Sequence, residues 1–295
     1  MNLIDCFMYY DEDMLLDVRL NILNKHVSKF IICEATYNHS GRPKKLNFDI
    51  KKFKKFKNKI IYLVLEDSPP NIELLKKEDT LHKKNSKLLN NSIGRDNYQR
   101  NYMMKEISKF QDEDLIMISD LDEIPNLENF KHFDKINIFV QKMIYYKFNL
   151  FLPNFNWMGT KICKKKDLLS PQWLRNIKPK KYSFWRLDTL FSQKKFININ
   201  FINNGGWHFT NIKKPEDIYF KMSNFAHHLE FENSGLTIDQ IRRKVLEGKM
   251  FYDHTADKTS LNKWGVEEKL KKVDANLLPD YLSKNKEKFK EWFHN

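Results

Sequence analysis

Residues 3–35 read LIDCFMYYDEDMLLDVRLNILNKHVSKFIICEA, and they decide the fold. The apolar run at 3–8 is typical of a buried strand. Apolar side chains recur at helical spacing from Asp13 to Lys25, and a second apolar run, 30–33, ends before Glu34. Strand, helix and strand within about 35 residues form a βαβ unit, which implies a parallel sheet covered by helices. The sequence therefore predicts the α/β class.

The alternation of strands and helices continues up to about residue 125, and the part after it is less regular. Apolar runs predict strands at 60–64 and 114–119, with a helix at 94–110 between them. Residues 71–93 are polar and are expected to form a surface loop with a partial helix. The part after residue 125 is mixed and more helical, with strands expected at 136–151, 196–202 and 207–209 and helices at 215–229, 237–249 and 277–293. No linker rich in Gly, Ser or Pro separates the two parts, so a single domain is expected.

The composition is that of a globular protein. Of 295 residues, 41% are hydrophobic and 14% aromatic, which is too much apolar material for a disordered chain. The sequence has no run of about 18 uncharged apolar residues, which is the length needed to span a bilayer. No signal peptide is expected before the first strand. These features predict a soluble, cytoplasmic protein. The three cysteines form no CxxC pair, so neither a disulfide framework nor a zinc knuckle is expected.

The charge is strongly positive. The formal net charge of +14 favours anionic partners, namely nucleic acid, an acidic membrane or a phosphorylated substrate. Only 8 of the 52 basic residues are arginine, the side chain on which base-specific recognition depends. The composition therefore argues against nucleic acid as the partner.

The strongest local signal is the motif SDLDEIP at 119–125, which directly follows the apolar run 115–118. Ligands bind at the carboxyl ends of strands in open α/β sheets. On an extended backbone Asp120 and Asp122 point the same way, so they could share a divalent cation such as Mg²⁺ or Mn²⁺. The alternative is a solvated acidic turn that caps the next element.

Cationic and imidazole side chains elsewhere suit the same site. An acidic metal site in a basic protein is explained by a diphosphate leaving group, whose charge the metal and nearby cations would neutralise. Candidates on the preceding helix are Arg95, Arg100 and Asn101. His208 follows two glycines that permit close backbone approach, and it is either a core histidine or a metal or phosphate ligand.

These stretches together resemble glycosyltransferase family 17. The matching segments are IDCFMYYDEDMLLDVRLNIL, FIICEATYNHSGRPKKLNF, GRDNYQRN, LIMISDLDEIP, GGWHFTN, PEDIYFKM and LPDYLSKNKEKF. The resemblance implies a GT-A-like, Rossmann-type fold, a UDP-sugar donor (UDP-GlcNAc in known members), Mn²⁺ or Mg²⁺ at a DxD motif, and inversion at the anomeric carbon. It also implies a nucleotide-sugar-binding half, 1–125, and an acceptor-side half, 126–295, which meets a glycan or glycoconjugate.

The resemblance assigns candidate roles to individual residues. The metal ligands would be Asp120, Asp122, Glu123 and His208, and the donor-binding residues Glu34, Arg95, Arg100, Asn101, Asp120 and Trp207. An inverting transfer needs a general base opposite the leaving group. Glu216 and Asp253 are the two candidates for that base.

Other functions are compatible with the same residues. A nucleotidyltransferase could use the acidic motif, and a basic nucleic-acid-binding protein would account for the charge. The C-terminal segment 277–293 carries Tyr281, Leu282, Phe289, Trp292 and Phe293 among lysines. As a helix it would either touch an anionic membrane or pack against the core.

Overall fold

The computed structural model describes residues 1–128, 130–131, 135–183, 185–189, 191–224, 228–254, 264, 266–274 and 277–294. Within these residues the chain forms two mixed sheets with helices packed on them. The strands are β1 Leu3–Met8, β2 Lys29–Ala35, β3 Ile60–Leu65, β4 Leu115–Ile118, β5 Glu123–Pro125, β6 Ile136–Phe139, β7 Gln141–Tyr145, β8 Leu150–Trp157, β9 Lys161–Lys164, β10 Ile199–Ile202, β11 Gly206–Thr210 and β12 Lys271–Lys272. The helices are α1 Asp13–Leu23, α2 Leu81–Tyr102, α3 Met104–Ile107, α4 Pro171–Asn176, α5 Pro215–Asn224, α6 His228–Ser234, α7 Ile238–Glu247 and α8 Asp280–Lys284.

The larger sheet contains the predicted βαβ unit. Its strand order is β10-β6-β9-β4-β1-β2-β3, and β4, β1, β2 and β3 run parallel. Strand β9 is antiparallel to both β4 and β6. Because β6 and β10 belong to this sheet, its strands come from both sides of residue 125. The prediction of the α/β class is confirmed.

Helices cover both faces of the larger sheet. On one face, Leu16 and Leu20 of α1 and Leu282 of α8 pack with Phe7 of β1. On the other face, Met103 at the end of α2 and Leu174 of α4 pack with the opposite side chains of β1, β2 and β4. All three cysteines are buried and unpaired, as expected. A third core joins the smaller sheet to α5, α6 and α7.

The smaller sheet has the order β12-β8-β7-β11-β5. Where every connecting residue is described, the chain passes between the two sheets at 119–122, Val140, 158–160 and 203–205. Gly205 and Gly206 make one of these passages, and a Cβ on either glycine would collide with neighbouring backbone atoms. The junction of the two sheets therefore holds the acidic motif and the segment that leads to His208.

The helix predicted at 277–293 was wrong in its extent, whereas the partial helix expected within 71–93 is present. Helix α2 begins at Leu81, with the Thr80 side chain as its N-cap. This helix buries polar side chains, among them Asn91 and Gln99, and therefore lacks an apolar stripe. At the C-terminus only 280–284 is α-helical, followed by a short 3₁₀ turn at 290–292. Residues 225–227, part of the predicted helix 215–229, lie outside the described residues.

The aromatic residues of the C-terminal segment lie on the core. Leu282 and Phe289 are buried, and Tyr281, Trp292 and Phe293 pack against the same cluster. This arrangement favours packing over membrane contact for the segment. No helix in the described part of the chain is both long enough and apolar enough to cross a membrane.

Candidate functional site

The acidic motif lies where the strand order of the larger sheet reverses. The chain leaves β1 through α1 to reach β2 on one side, and it returns through α2 to β4 on the other side of β1. In open α/β sheets such a switch point creates a crevice outside the carboxyl ends of the strands. Residues 9–12 follow β1 and residues 119–122 follow β4, so both segments border this crevice.

Arg19 of α1 binds the backbone of the acidic motif. Its side chain is fully buried and forms an ion pair with Asp5 at 2.6 Å. The same guanidinium donates hydrogen bonds to the carbonyl oxygens of Asp120, Leu121 and Glu123 at 3.0, 3.1 and 2.8 Å. Arg19 therefore fixes the backbone of the motif, a role that the sequence analysis did not assign.

The first part of the motif is a turn, and its last part, Glu123–Pro125, is strand β5. The Glu123 N–H donates to the carbonyl oxygen of Asp120 at 3.0 Å, and residues 121–122 form the turn. Asp120 and Asp122 therefore do not lie on the extended backbone that the sequence analysis assumed for them. Asp120 contacts two arginines, whereas Asp122 faces His208.

Two arginines neutralise Asp120 and Glu123. The Asp120 carboxylate binds Arg100 at 3.1 Å through one oxygen and Arg175 at 2.6 Å through the other. Glu123 is fully buried and accepts two bonds from Arg175, at 2.6 and 2.7 Å, and one from Trp157 Nε1 at 2.5 Å. Although burial raises the pKa of Asp120, the two arginines hold it well below its usual range.

Asp122 and His208 form the second half of the site. His208 Nε2 lies 3.5 Å from Asp122 Oδ1, and its Nδ1 lies 3.1 Å from the sulfur of Met143. The imidazole ring packs on Trp157 with 4.7 Å between ring centroids. Burial raises the pKa of Asp122, but His208 and Lys221 outweigh it, so the carboxyl stays ionised at neutral pH.

This donor set fits a divalent cation that also binds substrate. Among the described residues there is no cluster of three or more His, Cys, Asp or Glu side chains that could hold a metal alone. Asp120 and Glu123 are engaged by arginines, so the protein ligands would be Asp122 and His208. Mg²⁺ is commonly held by one or two carboxylates, with substrate phosphates and water completing its shell.

A cavity of about 140 Å³ adjoins the carboxyl ends of β1 and β2. The residues that line it are Tyr10, Asp11, Glu12, Asn38, His39, Lys213, Phe220 and Lys221. Lys213 is paired with Asp11 at 2.5 Å, and Lys221 is near enough to Asp122 to lower its pKa. The lining thus carries charges of both signs, and Lys221 is the lysine in it that acts on the acidic motif.

Three of the predicted donor-binding residues support loops at the border of the crevice. Glu34 is buried and accepts hydrogen bonds from the backbone N–H groups of Asn47 and Phe48 at 2.8 and 3.1 Å. Arg95 donates to the carbonyl oxygen of His39 at 3.0 Å. Asn101 accepts from the backbone N–H of Gln172 at 2.9 Å, which fixes the start of α4. That helix carries Arg175.

Trp207 faces away from His208. Adjacent residues of a strand point to opposite faces, and Trp207 Nε1 donates to the carbonyl oxygen of Leu277 at 2.8 Å. The indole lines a separate cavity of about 630 Å³ between α1 and the C-terminal segment. The structure therefore does not bring Trp207 together with Asp122 and His208.

The two candidate bases differ in their surroundings. Glu216 is exposed at the start of α5 and forms an ion pair with Arg242 at 2.7 Å, which lowers its pKa. Asp253 precedes His254, whose Nε2 lies 3.0 Å from the Tyr145 hydroxyl. Burial, with His208 as a further cause, lowers the pKa of His254 to about 4.

In open α/β sheets, a crevice at such a switch point is where ligands bind. The sequence model of glycosyltransferase family 17 matches residues 1–293 of the chain. The chain belongs to this family and is a glycosyltransferase. A search of curated proteins finds no match to it.

Proposed function

We propose that the protein is a metal-dependent, inverting glycosyltransferase of GT-A-like fold, which transfers GlcNAc from UDP-GlcNAc to a glycan or glycoconjugate. The observation that carries the proposal is the position of Asp122. It is ionised, faces His208 and follows a strand at the switch point, while the neighbouring carboxylates are neutralised by arginine. Membership of a glycosyltransferase family favours this reaction over nucleotidyl transfer and over nucleic-acid binding.

The donor diphosphate would lie between the acidic motif and the cations of the crevice. Asp122 and His208 would hold Mn²⁺ or Mg²⁺, which would supply positive charge to the departing diphosphate. Lys221 borders the cavity next to this position and would neutralise further phosphate charge. Arg100 and Arg175 keep the motif in shape, because their charges are already balanced by Asp120, Glu123 and Asp96.

The transfer step needs a base for the acceptor hydroxyl. We assign this role to Asp253, because the other candidate, Glu216, is exposed and paired with Arg242. The carboxylate takes the proton from the acceptor hydroxyl as the oxygen attacks the anomeric carbon. The bond from that carbon to the diphosphate breaks, and UDP leaves with the bonding electron pair, which inverts the anomeric centre.

Release of UDP from a panel of UDP-sugars tests the donor and the metal. We expect slow hydrolysis of UDP-GlcNAc that requires Mn²⁺ or Mg²⁺ and is suppressed by EDTA, since an activated donor reacts with water when no acceptor is present. UDP-glucose and UDP-galactose serve as matched donors. Release that is equally fast with EDTA would contradict metal dependence, and preference for another sugar would contradict the assignment of GlcNAc.

Substitution of the two candidate bases separates them. We expect Asp253→Asn to lower UDP release by about 100-fold or more, since general-base catalysis contributes 10²–10⁴-fold. Glu216→Gln is the matched control and is expected to stay within about threefold of the unmodified enzyme, because an exposed ion pair with Arg242 contributes little. If both variants keep most of the rate, neither side chain is the base. Calorimetry with UDP and Mn²⁺ verifies that both variants still bind the nucleotide.

A further inference from the structure

The two most exposed aromatic side chains of the described structure lie in one loop between α4 and β10. Phe191 is 90% exposed and Trp185 is 77% exposed. We call the described residues 178–183, 185–189 and 191–196 the basic–aromatic loop. Large aromatic side chains normally supply core or interface contacts, so two of them in water within one loop indicate a surface that meets a partner.

The loop is anchored to the rest of the protein at its base. The indole N–H of Trp173, in α4, donates to the carbonyl oxygen of Gln193 at 2.8 Å, and the Lys178 N–H donates to the carbonyl oxygen of Lys194 at 2.9 Å. Within the loop Asp188 pairs with Arg186 at 2.9 Å and with Lys195 at 2.7 Å. The loop is thus attached to the helix that carries Arg175.

The loop is also strongly basic. Its sequence, KPKKYSFWRLDTLFSQKKF, holds five lysines and one arginine against a single aspartate. Asp188 neutralises only part of this charge. In the portion of the chain that the structure describes, Lys178, Lys180, Lys181 and Lys194 form no ion pair. The loop that carries the exposed aromatic side chains therefore has a net positive charge.

We propose that the basic–aromatic loop binds an anionic lipid surface. Exposed Trp and Phe side chains insert at the boundary between headgroups and acyl chains, while nearby lysines interact with anionic headgroups. The cations without an ion pair are lysines, which act as point charges toward a diffuse anionic surface. The single arginine, the side chain suited to nucleotide bases, is paired with Asp188. This argues for lipid over RNA.

The basic–aromatic loop is continuous with the helix that supports the acidic motif. The loop follows α4 directly, and Arg175 of that helix contacts Asp120 of the acidic motif. Lipid binding does not depend on the transfer reaction, so it is tested on the full-length protein without any sugar donor.

Vesicle sedimentation provides the test. We expect the protein to bind phosphatidylcholine vesicles that contain about 30% phosphatidylserine at about 0.1 M salt, and not to bind vesicles of phosphatidylcholine alone. The double variant W185S/F191S should bind at least tenfold more weakly. L74S/L246S is the matched control and should stay within twofold, because these leucines are 78% and 72% exposed elsewhere on the surface.

A second pair of variants tests how much the lysines of the loop contribute to vesicle binding. K178E/K180E/K181E should lose at least tenfold in vesicle binding, whereas K54E/K55E/K57E makes the same change in net charge outside the loop and should lose much less. Melting temperatures verify that all four variants are folded. Vesicle binding by W185S/F191S equal to that of the unmodified protein overturns the proposal. So does binding of a single-stranded poly-U oligonucleotide by a protein that ignores anionic vesicles.

Discussion

Arg175→Ala is expected to lower the free energy of unfolding by about 3–5 kcal/mol and to abolish sugar transfer. The substitution removes two hydrogen-bonded contacts, at 2.6 and 2.7 Å, from Glu123, a carboxylate with no solvent exposure. A buried charge that loses its partner keeps its desolvation cost. Asp120 contributes less to the loss, because its side chain is 37% exposed and water can replace the arginine there. Urea unfolding at neutral pH measures the effect.

Two further variants show whether the effect belongs to the buried pair. Arg186→Ala removes an ion pair with Asp188 whose partners are 51% and 41% exposed, and it should cost less than about 1 kcal/mol. Arg175→Lys keeps the charge but loses the planar fork that spans Asp120 and Glu123, so an intermediate loss is expected. If Arg175→Ala is as stable as Arg186→Ala, the arginine is not what holds the acidic motif in place.

Local sequence patterns were sufficient to predict strands β1 to β4 of the larger sheet. The βαβ unit and the strand before the acidic motif have continuous apolar runs, because parallel strands covered on both faces bury every side chain. The first half of helix α2 could not be found by this criterion. The buried face of the helix is made of Lys87, Asn91, Ser92, Gln99 and Arg100, which are satisfied by hydrogen bonds and ion pairs to distant segments.

The site was predicted in part, because some of its contacts are local and others are not. Asp122 and His208 were identified from the motifs around them, and the structure brings them within 3.5 Å. Arg19 and Arg175 were missed because they reach the motif from about 100 and about 50 residues away in sequence, which no local pattern records. The rarity of arginine was the available signal, since Arg19, Arg95, Arg100 and Arg175 are half of all eight arginines and lie at or beside the site.

The direction of the two aspartates shows where a local rule failed. The alternation of side chains along an extended strand predicted Asp120 and Asp122 on one side. Arg19, however, donates hydrogen bonds to three carbonyl oxygens of the motif and thereby fixes a turn. A tight turn sends neighbouring side chains in different directions. Asp120 then binds Arg100 and Arg175, and Asp122 faces His208.

Because Asp120 binds arginines and Asp122 faces His208, we expect the second large effect on activity at Asp122. Asp122→Asn is expected to reduce metal-dependent UDP release by about 1,000-fold, because charge stabilisation by a bound metal contributes several kcal/mol and each factor of ten corresponds to about 1.4 kcal/mol. Mn²⁺ binding, measured by calorimetry in the presence of UDP, should fall with it. An amide keeps the size of the carboxylate but removes its charge, so the fold should be unaffected.

Asp120→Asn is the matched control for this prediction, since it makes the same chemical change two residues away. Its carboxylate is bound by Arg100 and Arg175, so the substitution should weaken that pairing and lower stability while Mn²⁺ binding stays within about tenfold of the unmodified protein. The opposite pattern, in which Asp120→Asn loses Mn²⁺ and Asp122→Asn retains it, would mean that the arginines release Asp120 when the donor binds. Equal losses in both variants would mean that the two carboxylates share the cation, as the spacing of the motif alone suggests.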